Sequence, residues 1–438
     1  MRVNLKFLPI VMTAFLVSGC GIFSEDSEPL PGERISILAA DFGVEVDPEL
    51  AGQPPQLPRV RQNDSWSQPG GAAGHAMGHL ALSDSLSQAW RADIGRGNRY
   101  DRQILGEPVV ANGRIYTMDS VSTVSAYDSR SGQRVWRRDL TPEDERRGFF
   151  GGGVAYEDGR VFVTTGFGRV FALDADSGET IWSRSAGAPM RAGPAVRDGR
   201  VIATTVNNRS VALSADDGRE LWTHQGIEEE AGLLGTASPA IGEGVVLLPY
   251  SSGELFAVLA ENGRLLWRDT MGGGLRTDPI ASLSDIRGMP VIDRGRVFAV
   301  SNANRAVGID LQRGARAWER EIGSTQMPWV ANGELFLVSN RAQVVAMEAE
   351  TGRVRWMTHL EQYQRPDERR DAIEWHGPVL AGERLILAGS HGEAVMLSPQ
   401  DGSVLNSISL PSGATVPPVV ADGTLYILTE DATLVAYR

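Results

Sequence analysis

The chain has only one cysteine in 438 residues, which excludes a disulfide within the chain. Basic residues are also in the minority, because 42 Lys and Arg stand against 55 Asp and Glu. The formal net charge of −13 argues against a nucleic-acid-binding protein, which would present a basic face. The N-terminal apolar run from Phe7 to Val17 is too short to cross a bilayer as a mature helix.

The position of that one cysteine is informative. Arg2 and Lys6 precede the apolar run, and the run ends in "LVSGC", with small residues directly before Cys20. This pattern resembles the bacterial lipobox, which implies removal of residues 1–19 and lipidation of Cys20. The alternative is an ordinary signal peptide with a chance cysteine. Several acyl chains on Cys20 would give a stable membrane anchor.

The residues after Cys20 predict where the anchor sits. Gly21 follows the cysteine, and the absence of an Asp there favours the outer membrane over the inner one. Residues 20–62 are rich in proline and polar residues, which indicates an extended periplasmic tether. We therefore expect a lipid-anchored protein on the periplasmic face of the outer membrane, with its folded body in residues 63–438.

The body consists of repeats that end in tryptophan. "ALDADSGETIW" (172–182) has close variants at 126–136, 212–222 and 346–356, each with a glycine turn before the final tryptophan. A spacing of about 40 to 50 residues is typical of β-propeller blades. Asp-Gly turns between short apolar strands divide each repeat into four strands. The closing tryptophans are Trp90, Trp136, Trp182, Trp222, Trp267, Trp318 and Trp356.

The number of repeats predicts how the ring closes. Eight blade starts can be counted, but the seventh repeat has Asn406 in place of tryptophan and the eighth has only three strands. The segment 85–94 carries the unassigned Trp90 and can supply the missing strand. The sequence thus predicts an all-β fold, an eight-bladed propeller of four-stranded antiparallel blades, closed by 85–94 pairing with the C-terminal blade.

The tryptophans are predicted to dock one blade onto the next. An indole at the end of an outer strand buries a large apolar area, and its N–H can reach a backbone carbonyl. An active site would occur once, whereas this motif occurs seven times. We therefore assign all seven a structural role.

Other candidate sites are weaker. His75 and His79 are four residues apart, a spacing that suits metal ligands on a helix, but "HAMGH" is glycine-rich and has no evident third ligand. The glycine-rich stretches "GFGRVFALD" and "GGGVAY" lack the lysine and the helix of a phosphate-binding loop. We predict no catalytic residue, no metal and no cofactor.

The repeats resemble those of quinoprotein dehydrogenases, which also use eight blades. In their alcohol-oxidising members a quinone stacks on a vicinal disulfide, and a calcium ion is held by carboxylate and amide oxygens. This chain cannot form that disulfide, and no calcium-binding cluster is evident in the sequence. A periplasmic dehydrogenase dependent on pyrroloquinoline quinone remains the alternative function.

The lipobox, the tether and the propeller together resemble the BamB family of the β-barrel assembly machinery, and "SLSDIRGMPVIDRGRVFA" (282–299) is similar to a segment of that family. The resemblance implies a non-catalytic scaffold that assists insertion of barrel proteins into the outer membrane. It also implies binding to the POTRA domains of BamA, contact with the other Bam lipoproteins, and contact with unfolded outer-membrane proteins. A propeller with a different envelope partner is a third hypothesis.

The resemblance places partner binding on two loops, 228–239 and 276–288. Leu233 and Asp285 match the family at their positions, whereas Leu234 stands where an Arg is found and Arg287 where an Asp is found. These two differences imply either rewired ion pairs or a shifted contact. Core packing of Leu233 and Leu234, and a turn-capping role for Asp285, are the structural alternatives. Pairing of an extended substrate with a strand edge is a weaker hypothesis.

Overall fold

The computed structural model describes residues 45–143, 145, 151–228, 235–272 and 285–438. The predicted signal peptide, Cys20, Leu233 and Leu234 lie outside the described residues. Within the described ranges, no helix is long and apolar enough to cross a membrane.

The described chain forms eight four-stranded antiparallel sheets arranged as the blades of a propeller, which confirms the predicted fold class. Blade 8 takes β1 (Gln88–Asp93) from the N-terminal side. Blade 1 contains β2 (Val109–Ala111), β3 (Arg114–Met118), β4 (Thr123–Asp128) and β5 (Arg134–Asp139). Blade 2 contains β6 (Gly152–Glu157), β7 (Arg160–Thr165), β8 (Arg169–Asp174) and β9 (Thr180–Ser185). Blade 3 contains β10 (Ala195–Arg197), β11 (Arg200–Thr204), β12 (Arg209–Ser214) and β13 (Glu220–Gln225).

The second half of the ring repeats this plan. Blade 4 contains β14 (Ala240–Gly242), β15 (Val245–Pro249), β16 (Glu254–Leu259) and β17 (Leu265–Thr270). Blade 5 contains β18 (Val291–Asp293), β19 (Arg296–Ser301), β20 (Arg305–Asp310) and β21 (Arg316–Arg320). Blade 6 contains β22 (Trp329–Ala331), β23 (Glu334–Val338), β24 (Gln343–Glu348) and β25 (Val354–His359).

A small hairpin interrupts the repeat between blades 6 and 7. It consists of β26 (Tyr363–Arg365), a 3₁₀ turn at Pro366–Glu368 and β27 (Arg370–Ala372). Blade 7 contains β28 (Trp375–Ala381), β29 (Arg384–Gly389), β30 (Glu393–Leu397) and β31 (Val404–Ser409). Blade 8 is completed by β32 (Val419–Ala421), β33 (Thr424–Leu428) and β34 (Thr433–Tyr437).

Ring closure follows the prediction. β1 pairs antiparallel with β34, so that Trp90 stands opposite Ala436. Ser87 and Arg438 extend this pairing by one residue pair, since the backbone amide of each donates to the carbonyl of the other. The fourth strand of blade 8 therefore comes from the segment predicted to supply it.

The tight turns explain why each repeat folds as a meander. Asp198 and Gly199 join the first two strands of blade 3, and both have positive φ, 52° and 71°. Two successive residues at positive φ give the turn whose twist matches a β-hairpin. The three inner strands of each blade are largely buried, whereas the fourth strand lies at the perimeter.

The structure places each of the seven predicted tryptophans against the following blade. The Trp182 indole N–H donates to the carbonyl of Ala215 at 2.9 Å. Its ring lies on Gly218, where an added Cβ would come within 2.7 Å of the indole. We call this arrangement a tryptophan joint. The other six indoles each donate to a backbone carbonyl of the following blade in the same way. The pairs are Trp90 to Ser129, Trp136 to Ala175, Trp222 to Ala260, Trp267 to Leu311, Trp318 to Ala349 and Trp356 to Pro399.

The eighth joint differs because its glycine turn does not exist. The third and fourth strands of blade 8, β34 and β1, are not consecutive in the chain, so no hairpin connects them. An indole on β31 would have no such turn to pack on. Asn406 stands there, opposite Met396, and is exposed.

The centre of the ring is filled by residues 61–82, which we call the central segment. It makes hydrogen bonds to all eight blades. Its partners, one in each blade in order, are Val110, Tyr156, Val196, Ile241, Ile292, Trp329, Leu380 and Val420. Residues 45–60 belong to the predicted tether, and part of them lies along blade 6. The amide of Asp47 there donates to Val354 of β25 at 2.9 Å, and Glu49 pairs with Arg353 at 2.9 Å.

Candidate partner-binding face

The two predicted binding loops lie on one side of the ring. Each connects the outer strand of one blade to the inner strand of the next, and we call the side that carries these connections the loop face. Of the first predicted loop, 228–239, the structure describes 228 and 235–239, and of the second, 276–288, it describes 285–288. Loops held by rigid strands lose little conformational entropy when they bind a partner.

Asp285 lies inside its loop. It is only 4% exposed, and its backbone carbonyl accepts the amide of Asn302 at 3.0 Å. The next residue, Ile286, is also buried. A side chain this enclosed offers a partner little surface, so the burial favours the structural role of Asp285 over a contact role.

Arg287, in contrast, is 28% exposed in its side chain and joins three loops. Its guanidinium lies above Gly235 of the first loop, where an added Cβ would come within 3.2 Å of the Arg287 Nε. It also pairs with the carboxylate of Glu374 at 3.7 Å, on the connection between blades 6 and 7. The structure thus brings the two predicted loops together through Arg287.

The third loop at this place is not part of the predicted site. The connection from β25 to β28 carries the small hairpin, whose exposed charges pair with one another, as between Arg365 and Asp371 at 2.7 Å. The indole of Trp375 donates to the carbonyl of Glu361 at 2.8 Å and closes the base of the connection. The sequence did contain a signal, because "EQYQRPDERRDAIE" (361–374) is unusually long and charged for a blade connection.

A cavity in the channel of the ring is lined by residues at the start of the inner strands or just before them. Its described lining includes Arg191, Thr236, Arg287, Gln326 and His376, with Glu107 beside the central segment. The Thr236 hydroxyl oxygen is buried and has no hydrogen-bond partner among the described residues. Burial lowers the pKa of the His376 imidazole below its usual value, so this side chain adds no charge at neutral pH.

Glu107 is the most perturbed acid of the cavity. Burial raises its pKa to about 7, although two hydrogen bonds to the carboxylate act in the opposite direction. These come from the amide of Gly70 at 2.9 Å and the indole of Trp66 at 3.2 Å. Near neutral pH the Glu107 carboxyl is therefore close to half protonated.

The cavity does not fit the cofactor equipment of alcohol-oxidising quinoproteins. Glu107 is the only carboxylate among the described lining residues, and one of its oxygens is already bound by Trp66 and Gly70. Within the described ranges, no three His, Cys, Asp or Glu side chains are grouped as metal ligands would be. With one cysteine in the sequence, the chain cannot supply a vicinal disulfide.

His75 and His79 lie in irregular parts of the central segment and not on a helix. The His75 Nδ1 lies 2.7 Å from the carbonyl of Pro290, and burial lowers its pKa to about 4. The His79 Nε2 accepts the amide of Glu383 at 3.0 Å. Both imidazoles thus connect the central segment to other parts of the chain, His75 to Pro290 and His79 to Glu383 and Pro58.

Comparison with solved structures finds a similar architecture in a BamB protein and in quinohemoprotein alcohol dehydrogenases. BamB from Moraxella catarrhalis is similar with a TM-score of 0.69 and 19% identity, over 81% of this chain and 100% of that one. The quinohemoprotein alcohol dehydrogenase ADHIIG from Pseudomonas putida gives 0.68 and 14%, over 86% and 80%. The corresponding enzyme from Comamonas testosteroni gives 0.66 and 14%, over 86% and 81%. At these identities the likeness shows the fold alone.

Comparison of the sequence with family models gives a more specific result than comparison of the folds. None of the curated proteins compared with the chain matches it. The family model described as outer membrane protein assembly factor BamB matches residues 120–358 and 363–438, which is more than half of the chain. The chain therefore belongs to the BamB family of outer membrane protein assembly factors.

Proposed function

We propose that this protein is a non-catalytic scaffold lipoprotein of the outer membrane, anchored through Cys20, that binds the POTRA domains of a BamA-type protein. In this role it works beside the other Bam lipoproteins and assists the insertion of β-barrel proteins. Membership of the BamB family supports this role. The structural observation that carries the proposal is Arg287, which connects both predicted loops on the loop face.

The proposed contact surface combines Leu233, Leu234 and Arg287, with Asp285 as an internal support of its loop. Two leucines and a partly exposed guanidinium on these two loops suit a partner that offers an apolar patch and a carboxylate. Glu374 pairs with Arg287 in the free protein, so an acidic group of the partner would take over or share this ion pair.

We also propose that no reaction is catalysed in the cavity. This is supported by its described lining, in which Glu107 is the only carboxylate. Calcium-dependent reduction of a redox dye by the purified protein with added quinone would overturn this part of the proposal and favour the dehydrogenase alternative.

Charge reversal at Arg287 tests the contact surface. We expect Arg287→Glu to weaken binding to purified POTRA domains by about tenfold, because it places a carboxylate beside Glu374 and repels an acidic partner. The matched control is Arg294→Glu, on a two-residue turn at the opposite side of the ring, with a side chain 61% exposed. Titration calorimetry with both variants measures the difference.

Two results would contradict the proposal. Unchanged affinity of Arg287→Glu would remove the loop face as the contact. Failure of the wild-type protein to co-purify with a POTRA-containing barrel protein from detergent-solubilised outer membranes would remove the partner itself.

A further inference from the structure

The outer strand of blade 7 differs from the other seven outer strands, all of which are described. β31 has the sequence VLNSIS and carries no charged side chain. Each of the others carries at least one Arg, Asp or Glu. Charges on an edge strand are a common protection against pairing with another chain. β31 lacks that protection.

β31 also carries large apolar side chains that are well exposed. Val404 is 59% exposed and Leu405 52%, the highest values for large apolar residues on the outer strands. Asn406 replaces the tryptophan, so no indole fixes this strand to blade 8. An exposed, uncharged strand of aliphatic and small polar residues is well suited to accept another strand.

The backbone of β31 has donors on its free side. The amide of Leu410 donates inward, to Gly392 at 2.9 Å. Because amide directions alternate along a strand, those of Ser407 and Ser409 point away from β30. No hydrogen bond from another described residue reaches the backbone on this side of β31.

Blades 4 and 6 show how such edges are otherwise occupied. β17 of blade 4 also begins with two exposed leucines, Leu265 and Leu266. Its Trp267 forms a tryptophan joint, and the guanidinium of Arg316 donates to the carbonyl of Thr270 at 2.8 Å. The edge of blade 6 receives the amide of Asp47. β31 of blade 7 carries no tryptophan of its own, and no described segment covers its free edge.

We propose that β31 is an acceptor edge that pairs, by strand addition, with an extended segment of an unfolded outer-membrane β-barrel chain. The identity of this partner class rests on the proposed function, since barrel proteins are the cargo of the assembly machinery. Strand addition reads the backbone, so one edge can accept many barrel sequences without specific side-chain pockets. Barrel strands alternate apolar and polar residues, and a neutral edge repels neither kind.

The length of the edge fits this partner. β31 has six residues, which corresponds to about 20 Å of extended chain. A membrane-spanning barrel strand has about 9–11 residues. β31 would therefore pair with part of one barrel strand and leave the remainder free to pair with its neighbours.

The test removes an outward amide on β31 and, as a control, on β17. Ser407→Pro deletes the outward N–H of blade 7, and Arg268→Pro deletes the corresponding N–H of blade 4, because Trp267 and Asn406 occupy equivalent positions. Edge strands tolerate proline, and thermal unfolding checks that both variants fold. The probe is a fluorescently labelled outer-membrane barrel protein, unfolded in urea and diluted into the binding assay.

We expect Ser407→Pro to weaken binding of this probe roughly fivefold, the value of one net hydrogen bond, and Arg268→Pro to leave it unchanged. Leu405→Lys, which adds a charge to β31, is expected to weaken binding similarly, while its counterpart Leu266→Lys does not. Hydrogen exchange should show protection of 404–409 when the probe is added.

Equal binding by Ser407→Pro, Leu405→Lys and wild type would overturn the inference, as would equal losses in the β17 controls. A wild-type dimer that Ser407→Pro makes monomeric, with probe binding unchanged, would assign the edge to a second copy and also overturn it. POTRA binding by the same variants separates the two proposals. Retained POTRA binding with no dependence of probe binding on β31 rejects this inference alone, whereas loss of POTRA binding in the wild type rejects the proposed function.

Discussion

The perimeter and the centre of this propeller are held together in different ways. At the perimeter, seven similar tryptophan joints each connect two neighbouring blades, as Trp182 does between blades 2 and 3. At the centre, one segment contacts all eight blades, and its Trp66 is stacked on Trp329 with ring centroids 6.1 Å apart. The perimeter thus has seven separate connections, each between two blades, whereas the centre has one connection that all eight blades share.

This difference indicates which substitutions should reduce the stability of the ring most. Loss of one joint affects two blades and leaves six other joints intact. Loss of a contact in the central segment affects an element on which every inner strand depends. The following predictions test this contrast, from the largest expected effect to the smallest.

Trp66→Ala should be the most damaging single substitution of the two regions. We expect a loss of about 4–5 kcal/mol in the free energy of unfolding, since it opens a cavity against Trp329 and removes a hydrogen bond to buried Glu107. The matched change at the perimeter, Trp182→Ala, should cost about 3 kcal/mol. Chemical denaturation of both variants measures this. Equal losses, or a larger loss for Trp182→Ala, would show that the centre is not the critical connection.

Glu107→Gln should stabilise the protein at pH 8. The folded pKa of about 7 lies above the ordinary 4.5, so between these values the folded state binds more protons than the unfolded chain. The stability contributed by this group is present below pH 4.5 and is lost as the pH rises to 7. Neutral Gln avoids that loss, and we expect a gain of about 3 kcal/mol at pH 8 and little change at pH 4.

The control for this prediction is Glu350→Gln, on a carboxylate that is 78% exposed. It should change stability little at either pH. The variant Glu107→Gln should also expose the opposite dependence of His75, whose lowered pKa makes stability fall as the pH drops from 6.5 to 4. Denaturation midpoints from pH 4 to 8 give both slopes, and a Glu107→Gln slope identical to wild type would show that this carboxyl is not the source.

Gly178→Ala separates backbone strain from the tryptophan joint. Gly178 has φ of 73°, and an added Cβ would come within 2.7 Å of the Trp136 ring. Gly113 has φ of 71° but open space around the same position. We expect Gly113→Ala to cost about 1 kcal/mol from strain alone, and Gly178→Ala about 2–3 kcal/mol from strain and overpacking. Thermal unfolding of the two variants measures the difference in their loss of stability. Similar losses would mean that the Trp136 ring moves aside without a measurable energetic penalty.

Much of this fold could be predicted because its information is local and repeated. The Asp-Gly turns, the alternation of short apolar strands and the closing tryptophans occur in nearly every repeat. Even the exception was informative, because the unassigned Trp90 and the three-stranded eighth repeat marked where the ring closes. Each of these signals lies within a few residues, where turn chemistry and strand pattern act.

The candidate site was harder to predict. Arg287 was predicted as a contact residue, but its position above Gly235 and beside Glu374 joins loops that are far apart in sequence. Asp285 was predicted to bind, and its burial comes from packing that its neighbours in the sequence do not indicate. Glu107 lies between two blades, and its raised pKa depends on how deeply the central segment encloses it.

The sequence by itself determined the class of fold, the number of blades and the strand that closes the ring, since repeated turns and strand patterns specify local geometry. Only the tertiary structure decided that residues 61–82 fill the centre and that Arg287 brings the two predicted loops together. Both depend on which strands become neighbours once the ring is closed. That adjacency arises from packing across the whole chain.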